Sequence, residues 1–240
     1  NTAVLDHVAA NIRVGMSTEE INTLVHDFTV AHGAIPAPLN YEGFPKSVCT
    51  SINNEVCHGI PSPDIILKEG DIVNVDVSTI YNGFYSDASR MFLIGDVSPE
   101  RKRLVEVAKE CLDAGLAAVR PWGWMGDIGA AVQECAEANG CSVVTKFGGH
   151  GCGVEFHEEP FVSYVSNRGE EMLMVPGMVF TIEPMVNVAP TRTMPCLSQL
   201  RISVCISSKR RFMDLIYSSK RLPAVVITSF RPMRSNSVTL

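Results

Sequence analysis

Two apolar runs meeting at Asn82-Gly83 constrain this chain more than any other feature, because Asn-Gly between alternating segments is the strongest short-range signal for a two-residue β-hairpin. Closing the turn there sets Tyr81 opposite Phe84, and counting outward sets Ser78 opposite Asp87 and Asp76 opposite Ser89. Side chains alternate with a period of two, so Asp76 and Asp87 share one face as diagonal neighbours, roughly 7–8 Å apart at the backbone. Two like charges on a largely apolar hairpin need a compensating cation, and hard carboxylate oxygens suit a divalent metal.

A chain of 240 residues, 46% hydrophobic, can bury a substantial core. It has no apolar run of the roughly 18 residues that span a bilayer, and its first ten residues lack the pattern of a secretory leader. A soluble, cytoplasmic protein is therefore expected, with no membrane partner. The chain opens on Asn1 inside a helix-like stretch, which reads as processing or truncation at the front. Eight cysteines, at 49, 57, 111, 135, 141, 152, 196 and 205, form no CxxC pair and read as reduced thiols.

Charge divides the chain sharply. Residues 1–190 carry 11 Lys+Arg against 25 Asp+Glu, a formal −14, whereas residues 191–240 carry 9 against 1, a formal +8. All glycines and histidines also precede residue 191. The composition predicts two parts, 1–188 and a divergent basic tail, 189–240. The tail has little aromatic interleaving and no recognisable motif, so nucleic-acid binding is not expected of it.

Helices and strands come in blocks, as in an α+β fold. Ser17-Thr18-Glu19-Glu20 is a capping box ahead of Ile21, Leu24, Val25 and Phe28, and Gly33 ends that helix. Ser98-Pro99 starts a second helix, and Asp127 is predicted to cap a third that stops near Gly140. Strands are predicted over 47–52, 72–77, 84–94 and 178–182. An internal repeat links two of them: LKEGDIVNVDV at 67–77 and MVPGMVFTIEP at 174–184 align Gly70 with Gly177 and Asp76 with Glu183. Each copy is a Gly turn, an apolar strand and a carboxylate, so a pseudo-two-fold axis would present both acids to one central site.

Histidine supplies the remaining candidates. His150 stands among glycines in FGGHGCG, where the backbone can approach a neighbour closely; His157 opens HEEP, and His58 lies in CHGIP. His7, His26 and His32 sit on helical segments and read as packing or surface residues.

These segments together, YEGFPKSVCTSIN, NNEVCHGIP, EGDIVNVDV, GFYSDASRMF, GGHGCGVEFHEEP and GMVFTIEPMVN, resemble the type I methionine aminopeptidases in order and spacing over about residues 10–188. The resemblance implies the pita-bread fold, a pseudo-two-fold pair of αβ halves around a curved antiparallel sheet. It implies removal of the initiator methionine from nascent proteins by attack of a metal-bridging water on the first peptide bond. Carried over position by position, Asp76, Asp87, His150 and Glu183 would hold two divalent ions (Co, Mn, Fe or Zn), with Asp87 bridging. Glu183 would also move protons, His58 and His157 would contact the substrate, and Tyr41, Phe44, Cys49 and Phe156 would line the methionine pocket. Expected partners are the N-terminal peptide of a nascent chain and the ribosome, with the protein a monomer.

The resemblance stops at about Ala189. The family's fifth ligand, a Glu about thirty residues beyond Glu183 in an SAQ-x-E-H-T segment, has no counterpart, and no Glu follows Glu183 at all. The family's pocket tryptophan is also missing from this region, and smaller departures are Glu42 in place of His and Pro38 in place of Cys. A shifted frame or alternative exon would explain the boundary. Other readings are that Asp214 substitutes for the ligand, that stretches near 202–207 and 224–230 supply the last strands, or that the chain is a non-catalytic pita-bread binding protein. The missing carboxylate predicts weak occupancy of the second metal site and reduced activity.

Overall fold

The structure, a computed structural model, describes residues 1–188 together with the backbone of Val225–Val226. Its elements in order are α1 (Thr2–Asn11), α2 (Thr18–Ala31), β1 (Ile35–Pro36), β2 (Cys49–Ile52), β3 (Ile72–Tyr81), β4 (Phe84–Leu93), α3 (Pro99–Ala118), α4 (Met125–Ala138), β5 (Ser142–Val143), β6 (Gly149–Gly151), β7 (Glu158–Val162), β8 (Val179–Phe180), β9 (Val186–Asn187) and β10 (Val225–Val226). The predicted strands are present, with β3 longer than expected and β8 reduced to two residues. No helix among the described residues is long and apolar enough to cross a membrane.

The β3–β4 hairpin has the register that Asn82-Gly83 dictates: Tyr81 pairs with Phe84, Ser78 with Asp87 and Asp76 with Ser89. Alternation then splits the hairpin into two faces. Val73, Val75, Val77, Ala88 and Phe92, all fully buried, pack with Val4, Leu5 and Val8 of α1 and Ile21 and Val25 of α2 as one core. The opposite face carries Asp76 and Asp87 in its middle and Ile72 at its end. Ile72 belongs to a second core, with Leu104, Val107 and Leu112 of α3, Ile128 and Val132 of α4, and Phe180 and Ile182. Each such side chain contributes about 1.5–3 kcal/mol by leaving water. The two acids thus stand where the two halves meet.

On its other edge β3 pairs antiparallel with β2, which puts Cys49 opposite Asp76, and with β1 near the hairpin end. The second half has a sheet in the order β10-β8-β6-β7 and a small β5–β9 ladder. The repeat is realised in three dimensions: Gly70 (φ 85°) and Gly177 (φ 100°) both take left-handed turns two residues before β3 and β8 begin. Asp76 and Glu183 then occupy equivalent positions in the two halves.

Helix starts follow their caps. The Ser17 hydroxyl accepts the Glu20 amide at 3.1 Å, and the Glu20 carboxylate accepts the Ser17 amide at 2.7 Å, completing the capping box. Ser98 caps α3 with Pro99 in the first turn. Asp127 does not cap α4, whose N-cap is Trp124. Its carboxylate instead accepts the Gly169 amide (3.0 Å) and pairs with Arg120 (2.8 Å), tying the helix start to a distant loop. His7 and His32 stack on Phe28, and His26 meets the Ser47 hydroxyl, so these three histidines serve packing as expected. The six described cysteines are free thiols; Cys196, Cys205, Asp214 and the stretch at 202–207 lie outside the described residues.

Replacing Ser17 by Ala removes the hydroxyl that accepts the Glu20 amide, while the backbone amide at position 17 can still donate to Glu20, and is expected to lower the unfolding free energy by about 1 kcal/mol in urea titrations.

Candidate metal centre

Four chain segments converge at the seam between the halves. β3 and β4 bring Asp76 and Asp87, β6 brings His150, and the segment after β8 brings Glu183. One ligand atom each from Asp87, His150 and Glu183 lies within 4.8 Å of the others. His150 Nε2 stands 3.3 Å from Asp87 Oδ2 and 3.5 Å from Glu183 Oε1. Asp76 lies outside that tightest trio but joins it through a hydrogen bond to Asp87.

Each ligand is held from behind. His150 Nδ1–H donates to the Gly151 carbonyl at 2.9 Å, so in the neutral ring the Nε2 lone pair faces the acids. The Ser78 hydroxyl donates to Asp87 Oδ1 at 2.8 Å. Thr181 Oγ1 accepts the His150 amide at 2.9 Å and donates to Glu183 Oε1 at 2.6 Å, linking two ligands through one hydroxyl. The buried Tyr164 hydroxyl accepts the Glu183 amide at 2.6 Å. Glycines beside His150 are required by this closeness: a Cβ on Gly149 would lie 2.1 Å from the Thr181 carbonyl oxygen, and one on Gly151 would lie 2.2 Å from that of Glu159.

The electrostatics ask for a cation. Burial pushes the Asp76 carboxyl well above the usual carboxylate range, and the charges of Asp87 and Glu183 push it further. Burial pulls the His150 imidazole down, but the hydrogen bond to Asp87 and the charges of Glu183 and Asp87 outweigh it and raise the ring to about 9. Carboxylate oxygens plus one imidazole with its other nitrogen already committed form a donor set that fits a divalent metal.

An aromatic wall adjoins the acids. Tyr85 stacks on Phe156 (5.8 Å between centroids), Tyr41 meets Phe156 edge-on (4.8 Å), and His157 lies between Phe156 (4.4 Å) and His150 (4.3 Å). The Tyr41 hydroxyl reaches His157 Nδ1 at 3.2 Å. Burial and the neighbouring His150 hold His157 below the usual imidazole value, so it is neutral at pH 7. Cys49 is buried on the Asp76 face of the sheet; burial and the charges of Asp76 and Asp87 raise its thiol well above the usual range. Phe44 shares the short 3₁₀ turn of Tyr41, partly buried, without a ring partner among the described residues. His58 adopts a left-handed backbone (φ 54°), rare for a side-chain-bearing residue, and its ring meets Phe147 edge-on at 6.2 Å.

The metallopeptidase family M24 model matches residues 1–210. Methionine aminopeptidase A of Synechocystis sp. is 51% identical over 185 residues, covering 77% of this chain and 73% of that relative. The chain belongs to the M24 metallopeptidases, among the methionine aminopeptidases. The crystal structure of methionine aminopeptidase from Rickettsia prowazekii superposes with a TM-score of 0.78 at 43% identity, over 85% of this chain and 82% of that one. That from Thermotoga maritima gives 0.78 at 32% identity, over 85% and 84%. The two halves and their seam are therefore those of the pita-bread fold, and the chain is a metal-dependent hydrolase.

The residues that converge at the seam were legible in this sequence; the residues that orient them were not. Thr181, Tyr164 and Tyr85 went unnoticed. Thr181 sits two residues before Glu183, a spacing that puts both side chains on one face of an extended segment, and that was an available signal. Tyr164 and Tyr85 act across distances in sequence that no local pattern encodes. Cys57 and Cys152, free thiols as the sequence suggests, lie close enough to the acids that burial and the nearby negative charge push both up to about 12.

Thr181→Val should leave the far-UV spectrum unchanged and weaken Mn²⁺ or Co²⁺ binding 10- to 100-fold by calorimetry, since it frees two ligands at once. Only the neutral imidazole can ligate, and His150 titrates near 9. Divalent-ion affinity should thus rise with pH between 7 and 9 and binding should release protons, measured by calorimetry in buffers of different ionisation enthalpy.

Proposed function

We propose that this chain removes the N-terminal methionine of nascent proteins as a type I methionine aminopeptidase. The observation that carries this reading is the convergence of Asp87, His150 and Glu183 within 4.8 Å, with Asp76 bonded to Asp87, next to a stacked aromatic wall. Asp76, Asp87, His150 and Glu183 would hold up to two divalent ions. When bound, such ions polarise a carbonyl and lower the pKa of water.

The protein's own groups do the rest. Tyr41 keeps its phenol proton, because burial and nearby negative charge raise it, and donates to His157 Nδ1. That leaves Nε2–H of a neutral ring to donate to the oxygen of the scissile carbonyl as charge develops there. Glu183 Oε1, oriented by Thr181, is the base that takes a proton from the attacking water and returns it to the leaving nitrogen. His58 would contact the substrate from the opposite side. Tyr41, Phe44, Cys49, Phe156 and Tyr85 would form a polarisable pocket suited to an unbranched thioether. Action on nascent chains points to the cytoplasm and to work at the ribosome, as a monomer.

A second reading, a non-catalytic binding protein on the same fold, is favoured by one observation: no Glu follows Glu183. Metal stoichiometry together with hydrolysis of Met-Ala-Ser separates the two. One or two bound ions with turnover establish the enzyme, and metal bound without turnover establishes the binding protein. In the active case His157→Ala should cost roughly 10²–10⁴-fold in kcat/KM. The helix-borne His26→Ala should cost nothing, and EDTA should abolish activity that Co²⁺ or Mn²⁺ restores.

A further inference from the structure

Three thiols that the metal centre does not use gather where α3 packs on α4. The two helices run antiparallel: Asn139, just past the end of α4, accepts from Arg103 near the start of α3 at 2.7 Å and donates to Glu110 at 3.4 Å. Further along, Gly115 lies so close to α4 that a Cβ there would come within 2.9 Å of Val132 Cγ2 and 3.5 Å of Ile128 Cγ2. One turn back along α3 from Gly115 is Cys111, and one turn forward along α4 from Val132 is Ala136, beside Cys135. The crossing therefore sets Cys111 against Cys135, and the two thiols are hydrogen-bonded to each other. Ala108, Gly115 and Ala136, all small and buried, let the helices approach closely at this level.

The three thiols are not equivalent. Cys111 is fully buried in the core of the second half, and Cys135 is only half-buried at its margin, open to a small oxidant. Burial pushes the Cys111 thiol up, so the outer sulfur reacts first and the inner one follows. Cys141, buried nearby, donates its thiol to the Asn139 carbonyl at 3.6 Å and so points to a different partner.

We propose that Cys111 and Cys135 are an oxidisable dithiol, the reduced form of a reversible disulfide between α3 and α4, with peroxide as the oxidant. The O–O bond of peroxide breaks as the Cys135 sulfur takes one oxygen, giving a sulfenic acid and water. The Cys111 sulfur then attacks the Cys135 sulfur; the S–O bond breaks and a second water leaves with the Cys111 proton. Two thiols are oxidised and one peroxide is reduced to two waters. A disulfide needs Cα atoms within roughly 7 Å of each other, which the small residues at this crossing permit. The bridge would fasten the helices beneath Ile182, whose Cγ2 would lie 3.2 Å from a Cβ on Gly115, and Ile182 directly precedes Glu183. Oxidation would thus stiffen the layer that backs one of the seam acids.

Treating the folded full chain with equimolar hydrogen peroxide, blocking free thiols with N-ethylmaleimide and digesting with Glu-C without reductant tests this by mass spectrometry. Cleavage after Glu110, Glu134 and Glu137 leaves the three thiols on separate peptides, so the expected product is peptide 111–134 joined to peptide 135–137. The link should raise the midpoint of thermal unfolding by at least about 4 °C, and dithiothreitol should reverse both changes. Cys135→Ser, and separately Cys111→Ala, should abolish the link, while Cys141→Ser leaves it in place. A folded chain that stays unlinked would overturn the proposal. So would a link made to Cys141 instead, oxygen added stably to Cys135 with no link, or a link that forms only in urea.

Discussion

Mutual repulsion among Asp76, Asp87 and Glu183 is the constraint on which the rest of this structure depends. Three carboxylates drawn into one seam, with Asp76 forced well above its normal range, oppose the packing that brings them together. The two cores on either side of the seam supply the countervailing force, since each buries a full complement of aliphatic side chains against its own helix pair. Ser78, Thr181 and His150 offset part of the cost by donating to the acids. The remainder is a standing demand for a cation, so ion binding and folding are thermodynamically linked in this chain.

The aromatic wall and the acids form one continuous assembly. Contacts run from Tyr85 through Phe156 and His157 to His150, each within 5.8 Å between ring centroids. On the proposed reading, a side chain entering the pocket would press on Phe156, which is stacked on His157. Recognition and chemistry would then share a residue pair adjacent in sequence, Phe156-His157, and this adjacency would couple fit in the pocket to the position of His157.

How much of this the sequence revealed follows from which interactions are local. The hairpin register was readable because a two-residue turn leaves no freedom in pairing, and period-2 alternation then fixes the faces. The repeat was readable because Gly70 and Gly177 mark equivalent left-handed turns ahead of equivalent strands. Asp127 misled, since an acid in a first turn favours the helix from either a capping or an interior position, and only the distant Gly169 and Arg120 decide between them. The two-residue strands β1, β5, β8 and β9 are too short to carry a period. Tyr164 reaches Glu183 over 19 residues and Thr181 reaches His150 over 31, separations set by tertiary packing alone.

Charge arithmetic gives the missing fifth acid its physical meaning. Asp76, Asp87 and Glu183 together carry −3 when ionised, so one divalent ion leaves −1 and a second leaves +1. A first ion would be drawn in by the repulsion among the three acids that Ser78, Thr181 and His150 leave unrelieved. A second must enter a site whose charge has already been mostly met, with His150 as the neutral ligand, and at short range such an imbalance is costly. A fourth carboxylate would bring two ions to neutrality. Residues 184–240 contain one acid in all, Asp214, so on the proposed ligand set one ion would be held strongly and a second weakly.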